Sequence, residues 1–211
     1  MPYSSDHRAE TKNRIIKSAR RLFNRHGFDC VTIEQIMENA GLTHGGFYRH
    51  FASKGDLYAE VLDCFFTNPD WDCGWEGAEV DPAYGQLGPQ IVRTYLSRAH
   101  LEEIENACPM VALRSDVARG GVNARKAYRT AFEAMVEILQ QGSQNDVLPS
   151  RKSALAIAAL CIGGMVIARA SDDAALGDEL REAAMTIALQ LGGWNADPAP
   201  AGEPAEHHHG H

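Results

Sequence analysis

Thr43, His44, Tyr48, Arg49 and His50 fall within eight residues of one another, and two of the three residues between them, Gly45 and Gly46, carry no side chain. The five supply hydroxyl, imidazole and guanidinium groups that donate or accept hydrogen bonds. The glycines leave nothing between the backbone and whatever lies against it, which is the close approach a DNA major groove uses. A helix start with bare N–H groups suits a phosphate, and Lys54 adds a cation a few residues on. A second chemical possibility sits at Cys108-Pro109. With Pro at the first helical position, the Cys108 sulfur is expected at the positive end of a helix, where thiolate is favoured over thiol. That placement makes it a candidate sensor of electrophiles or oxidants, against the plainer reading of a small hydrophobe at a helix start.

The elements that must position the first set are legible. Thr32 and Gln35 have capping-box spacing, with Val31 placed to staple onto Ile36. The helix they open ends at Ala40, where Gly41 supplies a left-handed C′ residue. Leu42 then turns inward and Thr43 is expected to cap a second short helix through Phe51. Two short helices joined by a glycine-containing turn make a helix-turn-helix. Phe47 and Phe51 are four apart and share its buried face, which turns Tyr48 and Arg49 outward.

Through LF..HGF..VTIEQI...AGLTHGGFYRHF.SK..L, from about Thr11 to Phe65, the chain resembles the TetR family of bacterial transcriptional repressors. The resemblance implies that Thr43, His44, Gly45, Gly46, Tyr48, Arg49 and His50 face DNA and that Lys54 holds a phosphate. Position 44 is often Lys or Arg in that family and position 46 often Ser, Thr or Ala, so base reading here rests on fewer side chains. The wording ACPMVALRSDVAR followed by AFEAMVEIL looks like the ligand-binding half of one TetR subfamily. The family implies an all-α homodimer, a double-stranded DNA operator and a small-molecule effector, in the cytoplasm, with no enzyme activity, cofactor or metal.

The composition fits this and adds limits. A chain of 211 residues can bury a core without staples. Five cysteines, an odd number with no CxxC pair, point to free thiols in a reducing compartment. The N-terminal stretch lacks the apolar run of a secretory signal. The net charge of −8 is uneven: residues 1–66 hold nine Lys/Arg against eight Asp/Glu, and the remainder eleven against twenty. An acidic body orients the less acidic end toward nucleic acid, though the margin is small.

Along the chain, Ile15, Ala19, Leu22 and Phe23 stripe a first helix that Gly27 stops, and Ser53 with Asp56 caps a fourth. Residues 67–82 form a loop in which Trp71 and Trp75 either roof a pocket for an aromatic or cationic molecule or dock on the domain's side. Helices are then expected at 83–101, after Pro109, at 124–141, from Ser150 and at 176–191. Tyr95, Met110, Phe132 and Met135 are candidate walls of an effector site beside Cys108. Ala154 to Ala168 carry no charge; the run is too short to span a bilayer and so needs protein around it. Small residues there and later (Ala158, Gly163, Gly164, Ala184, Ala188) suit a four-helix interface between two subunits. The expected organisation is about nine helices: a helix-turn-helix domain over 1–52, a ligand-binding and dimerisation domain over 53–194, and a disordered tail over 195–211. Two rivals are a helical enzyme using Cys108 with His100 and an interaction module that no longer binds DNA. The first lacks a third orienting group and the second does not account for the continuous polar surface from Thr43 to His50.

Overall fold

The computed structural model describes residues 3–67, 86–112, 117, 121–141 and 147–194. The expectations for Trp71, Cys73, Trp75 and the tail from 195 lie outside the described residues. All regular structure among the described residues is helical.

α1 (Tyr3–His26) buries Ile15, Ile16, Ala19 and Phe23 along one stripe. It stops at Gly27, whose φ of 82° an L side chain would resist. α2 (Ile33–Asn39) opens on the reciprocal Thr32–Gln35 capping box and closes at Ala40, followed by Gly41 at φ 66°. Val31 and Ile36 are both buried in the core that this helix joins.

The next element differs from the expected α-helix. η1 (His44–Arg49) is a 3-10 helix, and Thr43 stands at its N-cap without a side-chain hydrogen bond. Gly45 and Gly46 are poor α-helix residues, and one short turn suits i to i+3 bonding. Phe47 is fully buried and Phe51 is 6% exposed, so the anchoring face is as the spacing predicts.

α3 (Lys54–Thr67) starts at Ser53, whose hydroxyl oxygen accepts from the Asp56 N–H at 3.1 Å. Leu57, Tyr58, Val61 and Leu62 pack into the same core as α1 and η1. Ala124 and Ala127, from α7 (Gly121–Leu139), belong to that core too. The boundary expected after Ala52 is therefore not a break in packing: α3 is shared by both halves.

The single helix expected over 83–101 is two, α4 (Leu87–Tyr95) and α5 (Arg98–Glu102). The chain turns at Ser97, whose side chain accepts from the His100 N–H. α6 is described over Pro109–Ala112 with Pro first, as expected. α7 begins at Gly121 rather than after it, with Gly121 at φ 84°.

α8 (Arg151–Ala170), capped by Ser150, and α9 (Ala174–Leu191), capped by Asp173, complete the C-terminal core with Val92, Tyr95, Met110 and Met135. At 20 residues α8 is long and apolar enough to cross a membrane, so length does not exclude that role as the 154–168 run suggested. Its packing places it instead: Ala154, Ile157, Ala158, Cys161, Gly164 and Met165 are buried against the chain's own helices. Trp194, which the sequence did not single out, closes this core. A Cβ on Gly88 would meet its ring at 2.2 Å and one on Gly192 at 2.3 Å, so both positions admit only glycine while the indole sits there.

Candidate nucleic-acid interface and the joint behind it

η1 is held from beneath and left bare above. Phe47 and Phe51 anchor it, with ring centroids 5.7 Å apart. Arg8 of α1 donates to the Arg49 carbonyl at 3.1 Å, fixing the far end. Thr43, His44, Gly45, Tyr48 and Arg49 are exposed and Gly46 and His50 half-buried, so seven of the eight expected contact residues are at least partly open to solvent. Tyr48 is 60% exposed. A Cβ on Gly45 would meet nothing within 4 Å, and one on Gly46 nothing nearer than the Met37 Cε at 3.6 Å. Internal packing therefore does not require glycine at either position, and neither has a positive φ.

His44 is not wholly free. Its Nε2 lies 3.2 Å from a Glu34 carboxylate oxygen, and its ring stands edge-on to Tyr48 at 6.0 Å. The Glu34 carboxyl sits below its ordinary pKa, chiefly through a backbone hydrogen bond and the Thr32 hydroxyl, with His44 a lesser cause. Lys54 departs further from expectation. Its ammonium donates to the carbonyls of Phe28 and Val31, both at 2.8 Å, and lies 4.4 Å from the centre of the Phe28 ring. Of its three N–H donors two are spent on the turn between α1 and α2, so Lys54 is first a clamp of the fold.

Between the start of α1 and η1 runs a groove of about 640 Å³ lined by His7, Arg8, Thr11, Thr43, Arg49 and His50, among others. His7, Arg8 and Thr11 were not expected at the site. Only the basic character of the first helix hinted at them.

The sensor expectation for Cys108 is overturned. The residue is 0% exposed and burial pushes its thiol up to about 11, the reverse of an activated thiolate. The helix-dipole argument fails because desolvation outweighs it: Cys108 is packed in the C-terminal core. Cys64 and Cys161 are also buried and raised, to about 11 and about 12, whereas Cys30 is exposed. Tyr95, Met110 and Met135 are fully buried and Phe132 partly so; all four are packed in one core with Cys108.

Around Cys108 the two halves are joined by hydrogen bonds to one loop. From α1, Arg20 donates to the Asn106 carbonyl at 3.1 Å and Asn24 to those of Glu105 and Ala107 at 3.1 and 3.0 Å. From α8, Arg169 donates to the carbonyls of His100 and Glu103. His100, 1% exposed, donates from Nδ1 to the Tyr95 carbonyl at 2.6 Å, while its Nε2 accepts from the Cys108 N–H at 3.4 Å. That pairing requires a neutral ring, and burial drives its pKa down to about 4. Asn24 and Arg169 also line a second groove, of about 520 Å³, with Leu101, Ile104, Val111 and Val166. Neither was given a site role by sequence reasoning, since an Asn in a basic helix and an Arg closing an apolar run carry no local signal.

Residues 15–61 match the family of bacterial regulatory proteins described as the tetR family. Over 56 residues the chain is 49% identical to YerO of Bacillus subtilis, an uncharacterized HTH-type transcriptional regulator, covering 26% of this chain and 19% of that protein. Over 111 residues it is 30% identical to KstR2 of Mycolicibacterium smegmatis, an HTH-type transcriptional repressor, covering 53% of this chain and 51% of the relative. The matches thus span about half the length of such curated relatives or less. In fold, E. coli NemR in its reduced form superposes with a TM-score of 0.69 at 19% identity, over 90% of this chain and 100% of that one. A TetR-family regulator from Rhodococcus sp. gives 0.62 at 15%, over 87% and 98%. Residues 15–61 thus carry the sequence signature of the tetR family of bacterial regulatory proteins, and the chain shares the fold of these neighbours along nearly all its length.

Proposed function

We propose that the chain is a ligand-responsive repressor that binds a palindromic DNA operator as a homodimer. The observation that carries this is η1 itself: a rigidly anchored turn whose outer edge offers Thr43, His44, Tyr48 and Arg49 around two glycines that the fold does not need. Glycine without an internal reason is explained by an external surface that comes close, and the major groove is such a surface. KstR2 is by name a repressor, which favours repression over activation.

The outer faces of α8 and α9 support the dimer. Leu155 and Ile167 on α8, and Leu176, Ile187 and Leu191 on α9, are exposed large hydrophobics on neighbouring helices. Gly163 opens on empty space, whereas a Cβ on Gly164 would meet Ala184 at 3.0 Å and Leu96 at 3.2 Å. Gly163 therefore belongs to the face a partner would use, and Gly164, expected there, packs within the chain. Two-fold pairing through this face would set two η1 helices toward major grooves about 34 Å apart. Small-molecule control would act through the α1–loop–α8 joint, because a ligand that prefers one arrangement of that joint shifts the population of DNA-competent dimers.

Selection of bound duplexes from a random pool is expected to enrich a site with two-fold symmetry; an enriched site without symmetry, or none, overturns the reading. Gly45→Val supplies the matching arm: it should leave the chain folded and abolish binding, and a variant that binds as wild type does removes the argument from the glycines.

A further inference from the structure

The groove between α1 and η1 brings two histidines, two arginines and two threonine hydroxyls to one concave surface beside the helix-turn-helix. Its apolar floor comes from Met37 and Leu42. His50 closes one end as the C-cap of η1, its N–H bonded to the Phe47 carbonyl. The charges that face it are all positive: Arg8 and Lys12 from α1 and Arg49 from its own element, with His7 titratable across the groove. Met37, Leu42 and Thr43, from α2 and the turn after it, add no charge. From α3, Glu60 is spent on Lys12 at 2.5 Å. Such a surface collects an anion, and the backbone phosphate is the anion that a duplex presents.

We propose that this groove seats a backbone phosphate and that His50 takes up a proton from solvent as the phosphate arrives, so that DNA binding is coupled to proton uptake. The proposal rests on the DNA-binding reading and adds to it a dependence on pH. Without DNA, partial burial and the three cations hold the imidazole below its ordinary pKa. A phosphate oxygen among the same groups reverses the balance, because an opposite charge within a few ångströms favours the charged ring. The sign follows from linkage. The bound state holds more protons than the free state between the two pKa values, so affinity rises as pH falls through that window and levels off below it. His50 thus differs from Arg8 and Arg49, which neutralise phosphate at any working pH.

The test uses the full chain and a mixed-sequence duplex at low salt, followed by anisotropy between about pH 8 and about pH 5.5. Wild type is expected to tighten about fivefold to tenfold across that range, since each unit of pKa shift is worth tenfold. His50→Gln should lose the dependence whatever its affinity at the alkaline end, while His7→Gln and His44→Gln keep it. Calorimetry of the wild type in two buffers of different ionisation enthalpy should find a fractional proton uptake that peaks at about half a proton, the amount a tenfold linkage implies. DNA binding with no proton uptake, or a pH dependence that survives in His50→Gln, overturns this inference and leaves the DNA-binding reading standing. Failure to bind the duplex at any pH overturns both.

Discussion

Lys54 and Tyr48 show how residues assigned the same task from sequence divide once their surroundings are known. Both were expected at the DNA surface. Tyr48 is exposed and its loss removes little from the fold, whereas the Lys54 ammonium ties down two carbonyls of the α1–α2 turn and stacks on Phe28. Hydrogen bonds to a charged group contribute about 1.5–3 kcal/mol, and the carbonyls left behind are half-shielded from water. Lys54→Ala is therefore expected to lower unfolding stability by about 2 kcal/mol, with Tyr48→Ala within about 0.5 kcal/mol of wild type. Urea unfolding separates them, and equal stabilities would show that the clamp contributes nothing. Both variants should weaken DNA binding, Lys54→Ala by disturbing the turn that precedes α2 as much as by losing a cation.

Among elements, the least legible is the joint, because it is made of side chains reaching backbone carbonyls 66 to 86 residues away. No local pattern encodes such a pairing. His100 gives it a measurable signature. Its folded pKa of about 4 lies below the ordinary value of 6.5, so the unfolded state binds the proton first as pH falls. Stability conferred by the neutral ring is complete above about pH 6.5 and is lost progressively down to about pH 4, on the order of 3 kcal/mol in all. Protonation would also set an N–H against the Cys108 N–H, so the loop that α1 grips is expected to loosen first. Hydrogen exchange at residues 100–108 should quicken at about pH 5 ahead of the α8–α9 core; uniform exchange across both would show that the joint has no separate weakness.

The local elements were more readable, since each carries its own signal. The Thr32–Gln35 box, Gly27, Gly41 and the Ser53 and Ser150 caps lie at helix ends in the structure. The Phe47–Phe51 pair gave the buried face of η1, though not its 3-10 form. The break of the 83–101 helix at Ser97 is a case where apolar period ran on past a cap. Cys108 failed for a different reason: its sequence position speaks of a helix dipole, and only the fold reveals that it is sealed from solvent.

At the scale of the whole molecule the open question for the fold is what covers the outer faces of α8 and α9. Leu176, Ile187 and Leu191 repeat along one side of α9 next to Leu155 and Ile167 of α8, and a single chain leaves all five in water. A second copy related by a two-fold axis would bury each twice over, since an isologous interface uses the same patch on both sides. Fully burying a side chain of this size is worth about 1.5–3 kcal/mol, so five positions on each of two subunits suffice for a stable dimer after the cost of association. Ile187→Glu is expected to place two unpaired carboxylates in that interface and give a folded monomer, with Tm close to that of the dissociated wild type and operator affinity reduced by several orders of magnitude. Gly164→Ala should behave in the opposite way. It presses on Ala184 and Leu96 within one chain, lowers stability by about 1–3 kcal/mol and leaves the dimer intact. Sedimentation of the two variants beside the wild type decides between the faces: an Ile187→Glu dimer, or a Gly164→Ala monomer, would mean that the chain pairs through Gly164 and not through the outer leucines.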